Sequence, residues 1–115
     1  MDMGMDVTEL EGGVTCIRLA GRLDSPGVDR IETKFTAAVV SRAHDAVIDL
    51  SSVDFLASMG IRMFIASARG LHLKGAKMVL FGAQPLVSSV LEHVALDQII
   101  PIVATEKQAL ERLQG

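Results

Sequence analysis

V47-I-D-L-S-S-V-D-F-L-A-S-M-G-I-R62 is the stretch whose reading decides the fold. The run V47-I-D-L50 is apolar and short, as a buried strand is. Polar residues follow, and S51-S52 reads as the start of a turn. A helical apolar period then begins at Ile61. The junction therefore runs from strand to helix, with Ser58, Met59 and Gly60 at the helix mouth. Helix mouths attract anions and accept phosphate well, so any functional surface is expected here.

The same alternation extends in both directions. Upstream, residues 5–10 and 14–20 read as two strands joined by the turn E11-G-G13. S25-P-G-V28 predicts a helix with Ser25 as N-cap and Pro26 at the first helical position. Val28, Ile31, Phe35, Ala38 and Val39 mark its core face, and it should end near Ser41 and Arg42. A46-V-I-D-L50 is the third strand. The second helix is predicted from Ser58 to Leu71 or His72, with Ile61, Phe64, Ile65, Ala68 and Leu71 inward and Gly75 as its stop.

K77-M-V-L-F81 reads as a central strand, apolar on both faces. Gln84 and Pro85 open a third helix with Val87, Val90, Leu91 and Val94 inward. I99-I-P-I-V103 is a fifth strand, placed at an edge because Pro101 removes a ladder donor. T105-E-K-Q-A-L-E-R-L113 closes the chain as a helix capped by Thr105, with Ala109, Leu110 and Leu113 on its packing side. The order β-β-α-β-α-β-α-β-α predicts an α/β domain. Its sheet is mixed but mostly parallel, with about five strands and about four helices.

Bulk properties bound the function. The 115 residues make one domain, 1–115, with residues 1–5 expected to fray. Half of the residues are hydrophobic, which excludes global disorder. Four Phe, no Trp and no Tyr leave little for stacking on bases, and the net charge of -3 opposes a phosphate-backbone partner. Nucleic acid is therefore not an expected partner. A single cysteine forms no internal disulfide and suits a reducing compartment. Cys16, inside V14-T-C-I-R-L-A20, is expected to be a packed thiol. The start M1-D-M-G-M-D6 lacks a basic residue, and no apolar stretch is long enough for a membrane span. A cytoplasmic protein without direct membrane insertion is expected.

No catalytic constellation is present. There is no G-x-G-x-x-G, no phosphate-binding loop motif and no G-x-S-x-G, so no enzyme is expected. His44, His72 and His93 lack metal-ligand spacing, and one cysteine does not make a zinc site. No metal or cofactor is expected. Asp49 reads as a strand-end residue and Asp54 as a turn residue.

Four segments carry a resemblance to a known family. They are L19-A-G-R-L-D24, V47-I-D-L-S-S-V-D-F-L56, S58-M-G-I61, and G75-A-K-M-V-L80 followed by P85-L-V-S-S-V-L91 and L96-D-Q-I-I100. In this order and spacing the chain resembles a STAS domain of the bacterial anti-sigma factor antagonist (anti-anti-sigma factor) family, over residues 6–113. The resemblance implies partner switching in transcription regulation. The antagonist binds an anti-sigma factor, a small serine kinase with an ATP-binding fold, and so releases a sigma factor. Phosphorylation by the kinase separates the pair, and a phosphatase resets it. Homodimerisation is left open.

The family's phosphoacceptor is the residue directly before the glycine in Asp-Ser-[Ser/Thr]-Gly-[Leu/Ile]. Aligned without a gap, that run falls on Ala57, Ser58, Met59, Gly60 and Ile61. Met59 occupies the acceptor slot, and Ala57 replaces the preceding Asp. Ser58 keeps three readings: helix N-cap, relocated phosphoacceptor, and direct partner contact. Met59 is read either as an adaptable docking side chain or as half-buried packing. Asp24 and Ser25 lie in the loop that, by resemblance, joins the partner surface; Asp24 reads equally as a local turn or cap residue. Arg62 is a cation in a first helical turn, where the dipole disfavours it, which suggests either an acidic partner or a solvated side chain. The partner-binding set is thus Asp24, Ser25, Leu56, Ala57, Ser58, Met59, Gly60 and Arg62. The missing acceptor also keeps a second function in view, a STAS accessory subunit of a lipid-transport ABC ATPase complex.

Overall fold

In the computed structural model, which describes residues 3–114, the third strand runs beyond the apolar run that announces it. This strand, Ala46–Leu56, is central to a five-stranded sheet. In chain order the elements are β1 (Gly4–Glu9), β2 (Thr15–Leu23), α1 (Ser25–Thr36), β3 (Ala46–Leu56), α2 (Ser58–Leu73), β4 (Met78–Phe81), α3 (Pro85–His93), β5 (Ile102–Val103) and α4 (Glu106–Gln114). The strand order is β1-β2-β3-β4-β5. β1 pairs antiparallel with β2, and the other three pairings are parallel.

Parallel pairing explains why S51-S52 is strand and not turn. β2 continues to Leu23 through two register shifts, one flanking Leu19 and one after Gly21. Ala20 faces Ser52, Arg22 faces Phe55, and Leu23 faces Leu56. The partner strand satisfies the serine backbone groups, so the local turn preference loses. Asp49 therefore sits within β3, and Asp54 is an exposed strand residue and not a turn residue.

Three of the helices cover one face of the sheet. Val28, Ile31 and Phe35 of α1, Met63, Phe64 and Leu71 of α2, and Val87 and Leu91 of α3 share a core with Ile17, Ile48, Leu50 and Leu80. The Phe35 and Phe64 rings meet edge to face at 5.8 Å between centroids. α4 covers the other face, where Ala109 and Leu113 pack on Cys16, Val47, Val79 and Phe81. This two-sided cover is what makes β3 and β4 apolar on both faces. No helix among the described residues is long and apolar enough to cross a membrane.

Several boundaries shift. Met3 is buried and β1 begins at Gly4, so residues 3–5, expected to fray, are placed against the sheet; residues 1 and 2 lie outside the described residues. The E11-G-G13 turn is a single 3₁₀ turn, with Gly12 and Gly13 at φ 85° and 80°, a conformation glycine supplies without steric cost. The α1 direction continues through a π turn over Ala37–Ser41. α2 is rotated from the expected face: Gly60, Met63 and Ser67 are buried with Phe64 and Leu71, while Ile61, Ile65 and Ala68 are half-buried flanks. Val94 lies beyond the end of α3 and is 46% exposed, not inward. The fifth strand shrinks to Ile102–Val103, because a 3₁₀ turn over Leu96–Gln98 carries the chain up to Pro101. It pairs only with β4 and is the expected edge. Thr105 caps α4, its Oγ1 accepting from the Gln108 N–H at 3.1 Å, and Gln108 Oε1 accepts from the Ala104 N–H at 3.0 Å.

Candidate functional site

Two helices start side by side where β2 and β3 end. The Ala57 N–H donates to the Leu23 carbonyl at 2.9 Å, tying the entry of α2 to the end of β2. Both helices open with serine, one variable residue, glycine and an aliphatic residue, S25-P-G-V28 and S58-M-G-I61. Both glycines are buried, and both are there for space. A Cβ on Gly27 would overlap the carbonyl oxygen of Arg22. A Cβ on Gly60 would come within 2.7 Å of Leu56 Cδ1 and 3.2 Å of Leu23 Cβ. The missing Cβ atoms let each helix start sit directly on the strand ends. Ligand crevices of open α/β sheets form at this end, outside the carboxyl ends of the strands.

The caps lie one residue earlier than the sequence predicts. Asp24, not Ser25, caps α1: its Oδ1 accepts from the Gly27 N–H at 2.9 Å. Ser25 is the first helical residue and is exposed, and Pro26 follows it. At α2 the N-cap is Ala57, in extended conformation, and no side chain caps the helix. Ser58 is the first helical residue, exposed, so its N-cap reading is withdrawn. The physical reason is common to both: the glycine seat fixes where each helix begins, and the serine falls inside it.

The predicted set separates into floor and surface. Leu56 is 5% exposed and Gly60 is buried, so these two shape the mouth from beneath and do not face outward. Ala57 is half-buried. Met59 is half-buried and packs against the main core, leaving part of its side chain accessible. Ser25, Ser58 and Arg62 are exposed. Arg62 is in none of the ion pairs found among the described residues.

Asp24 anchors the electrostatics. The Gly27 N–H bond, with the Arg22 guanidinium beside it, holds its carboxyl below the usual carboxylate range against a smaller desolvation effect. Arg22 Nε lies 3.3 Å from Asp24 Oδ2, and its guanidinium sits 4.2 Å from the centre of the Phe55 ring. Arg22 and Phe55 belong to the site and were not among the predicted residues. Their signal was available only through register, since they face each other across β2 and β3. Farther along β3, Asp49 is not a strand-end residue: its Oδ1 accepts from the Ser51 N–H at 2.9 Å, and its Oδ2 faces Arg18 at 3.5 Å. No cluster of metal-ligating residues occurs among the described residues. The mouth presents an exposed serine, a half-buried methionine and separated charges.

Comparison with known proteins gives this geometry a family. The sequence model of the STAS domain matches residues 7–109. An anti-sigma F factor antagonist of Paenibacillus polymyxa is 28% identical over 103 residues, covering 89% of this chain and 88% of that one. An anti-sigma F factor antagonist of Lysinibacillus sphaericus is 29% identical over 100 residues, covering 86% and 85%. Among solved structures, an anti-sigma factor antagonist from Mycobacterium paratuberculosis superposes with a TM-score of 0.86 at 24% identity, covering 99% of this chain and 96% of that one, a likeness of fold.

Proposed function

From the premise that the chain belongs to the STAS domain family, we propose that it is an anti-sigma factor antagonist that acts by binding. Its partner is an anti-sigma factor with a serine-kinase, ATP-binding fold, and docking frees a sigma factor. The docking face is the mouth of α2 with the Asp24 loop: Asp24, Ser25, Ala57, Ser58, Met59 and Arg62, supported from below by Leu56 and Gly60.

One observation supports this reading above the others. The mouth is preformed: Leu23, Leu56 and Gly60 are packed beneath it, while Ser58 and Arg62 face outward. A rigid face loses little entropy on docking. Met59 in the acceptor slot has no hydroxyl to phosphorylate, so this antagonist keeps the docking shape and lacks the switch at its usual place. Ser58 acts as an unmodified contact.

Calorimetric titration with the cognate kinase-fold protein is the test. A 1:1 complex is expected, weakened at least tenfold by Met59→Glu, because a carboxylate at the interface must be desolvated. Met59 packs against the core, so the circular dichroism melt of the variant is measured alongside, and an affinity loss counts only in a variant that is folded at the titration temperature. Unchanged affinity would place the docking face elsewhere. Incubation with ATP and the kinase should leave the intact mass unaltered. A gained phosphate that disappears in Ser58→Ala would put the switch on Ser58 and overturn the unswitched reading.

The methionine in the acceptor slot also favours a second reading, an accessory subunit of a lipid-transport ABC ATPase complex, where no phosphorylation switch is needed. Co-purification with a transport ATPase, and none with a kinase-fold regulator, would select it.

A further inference from the structure

We propose that this protein has a second binding site, at the opposite end of α2, for a small organic anion with an apolar body. Arg69 and His72 from the last turns of α2, Lys77 just before β4, and Arg112 from α4 converge on one cavity of about 520 Å³. That volume is in the range of small-molecule sites. Its floor is apolar: Met78 and Ile100 are buried there, and Ile99 contributes a large apolar side chain left 55% exposed.

Charge gives the cavity its selectivity. No acidic residue lines it, although acids outnumber bases in the chain by 14 to 11. Neither Arg69, His72, Lys77 nor Arg112 takes part in an ion pair found among the described residues. The end of α2 is the negative pole of its dipole, which the cluster of cations outweighs, and two of its last carbonyls are already used. The Leu71 oxygen already accepts from the Lys74 and Ala76 N–H groups, and the His72 oxygen from that of Gly75. A second cavity, at the other end of β4 and β5, is lined instead by Glu92 and Asp97, so positive lining is a property of this recess and not of the surface at large. Two guanidinium forks and an ammonium over an apolar floor match a phosphate, sulfonate or carboxylate head on a hydrocarbon or aromatic body.

The site is separate from the docking face. Ser58 and His72 are fourteen residues apart on one helix, roughly 20 Å at a rise of ~1.5 Å per residue. The inference does not rest on the antagonist reading.

Titration of the folded full-length chain with 8-anilinonaphthalene-1-sulfonate, followed by fluorescence, tests it. One saturable site is expected, displaced by hexyl phosphate but not by hexanol. The uncharged N-phenyl-1-naphthylamine should bind at least tenfold more weakly. Arg69→Gln and Arg112→Gln should each weaken the dye several-fold, and the double variant should abolish saturable binding while its circular dichroism melt stays that of the wild type. Met59→Glu should leave dye binding unchanged. The proposal fails if the double variant binds as the wild type does, if the neutral probe binds equally well, or if Met59→Glu removes the site.

Discussion

Gly27→Ala separates backbone crowding from helix propensity, because the two effects have opposite signs at this position. Gly27 is the third residue of α1 and its conformation is helical, so alanine there should gain up to about 1 kcal/mol from propensity and reduced chain entropy. Against that gain stands the Arg22 carbonyl oxygen, which the new methyl would overlap, with the Arg22 carbonyl carbon at 3.2 Å. These atoms belong to the end of β2, which is locked to β3 through Leu23 and Leu56, and no side-chain rotation moves them. The start of α1 must lift instead, straining the Gly27 N–H bond to Asp24. Overpacking of this kind costs about 1–3 kcal/mol, and an obstacle made of backbone places it at the top of that range. The net expectation is a loss of roughly 2 kcal/mol, which for a domain of this size lowers the melting temperature by about 8 °C.

Gly60→Ala is the internal control. It occupies the same third position in α2, but its nearest obstacle is the Leu56 Cδ1 methyl, the free end of a side chain that can turn. Its cost and its propensity gain should nearly cancel, leaving stability within about 1 kcal/mol of the wild type. Urea midpoints and calorimetric melts of the three proteins decide the matter. A Gly27→Ala protein as stable as the wild type, or one less affected than Gly60→Ala, would refute the claim that the helix starts are seated on strand backbone.

Three further outcomes follow from buried and capping groups. Ser67 is 1% exposed and its hydroxyl has no hydrogen-bond partner among the described residues, so Ser67→Ala should raise stability by about 1 kcal/mol and the calorimetric melt by about 4 °C; a lower melt would mean the hydroxyl is satisfied. The Asp24 carboxyl is held below its ordinary range mainly by the Gly27 N–H, so folding favours its ionised form. Its contribution is complete above the ordinary carboxylate pKa and is lost as pH falls through the lowered folded value. The stability gap between wild type and Asp24→Asn should therefore narrow on acidification, and a gap independent of pH would remove the charge from the cap. Burial pushes the Cys16 thiol up, with Arg18 opposing and Glu106 adding to the shift. Ellman's reagent should label it only at the rate of unfolding; fast labelling of the native protein would contradict its packed position under α4.

Most of the architecture was legible because its signals are local. The V47-I-D-L50 run, the helical period of α1, and Pro101 before the short edge strand are each decided within a few residues. What was not legible depends on partners distant in sequence. Ser51 and Ser52 favour turns, and only the continuation of β2 past Gly21 gives them a strand to pair with. That continuation needs register shifts around Leu19 and after Gly21, the latter residue at φ 114°, and a single sequence does not announce a bulge from one glycine. The contact of Arg22 with Phe55 was hidden for the same reason.

The caps failed in a way that carries more information. Ser58 has a stronger N-cap preference than Ala57, so local chemistry selects it, whereas Asp24 and Ser25 are equally good caps and Asp24 takes the cap role that was one of its two readings. The caps of both helices nevertheless lie one residue earlier, although α2 itself starts at Ser58 as expected, and the shift is the same because the cause is the same. Each glycine has to lie over the end of β2, and the third helical position is where that contact falls. The repeated order of serine, variable residue, glycine and aliphatic residue is visible in the sequence at 25–28 and again at 58–61. Reading the two together would have placed both serines inside their helices. For α2 this has a functional consequence. A serine used as a cap turns its oxygen back onto the helix; a serine at the first helical position leaves it outward. Ser58 is exposed and Met59 lies half-buried beside it, so under the proposed docking a partner would meet the serine first and the methionine at its edge. A hydroxyl at Met59's position would sit against the core edge, where phosphorylation changes packing as well as charge. At Ser58 it would change charge alone.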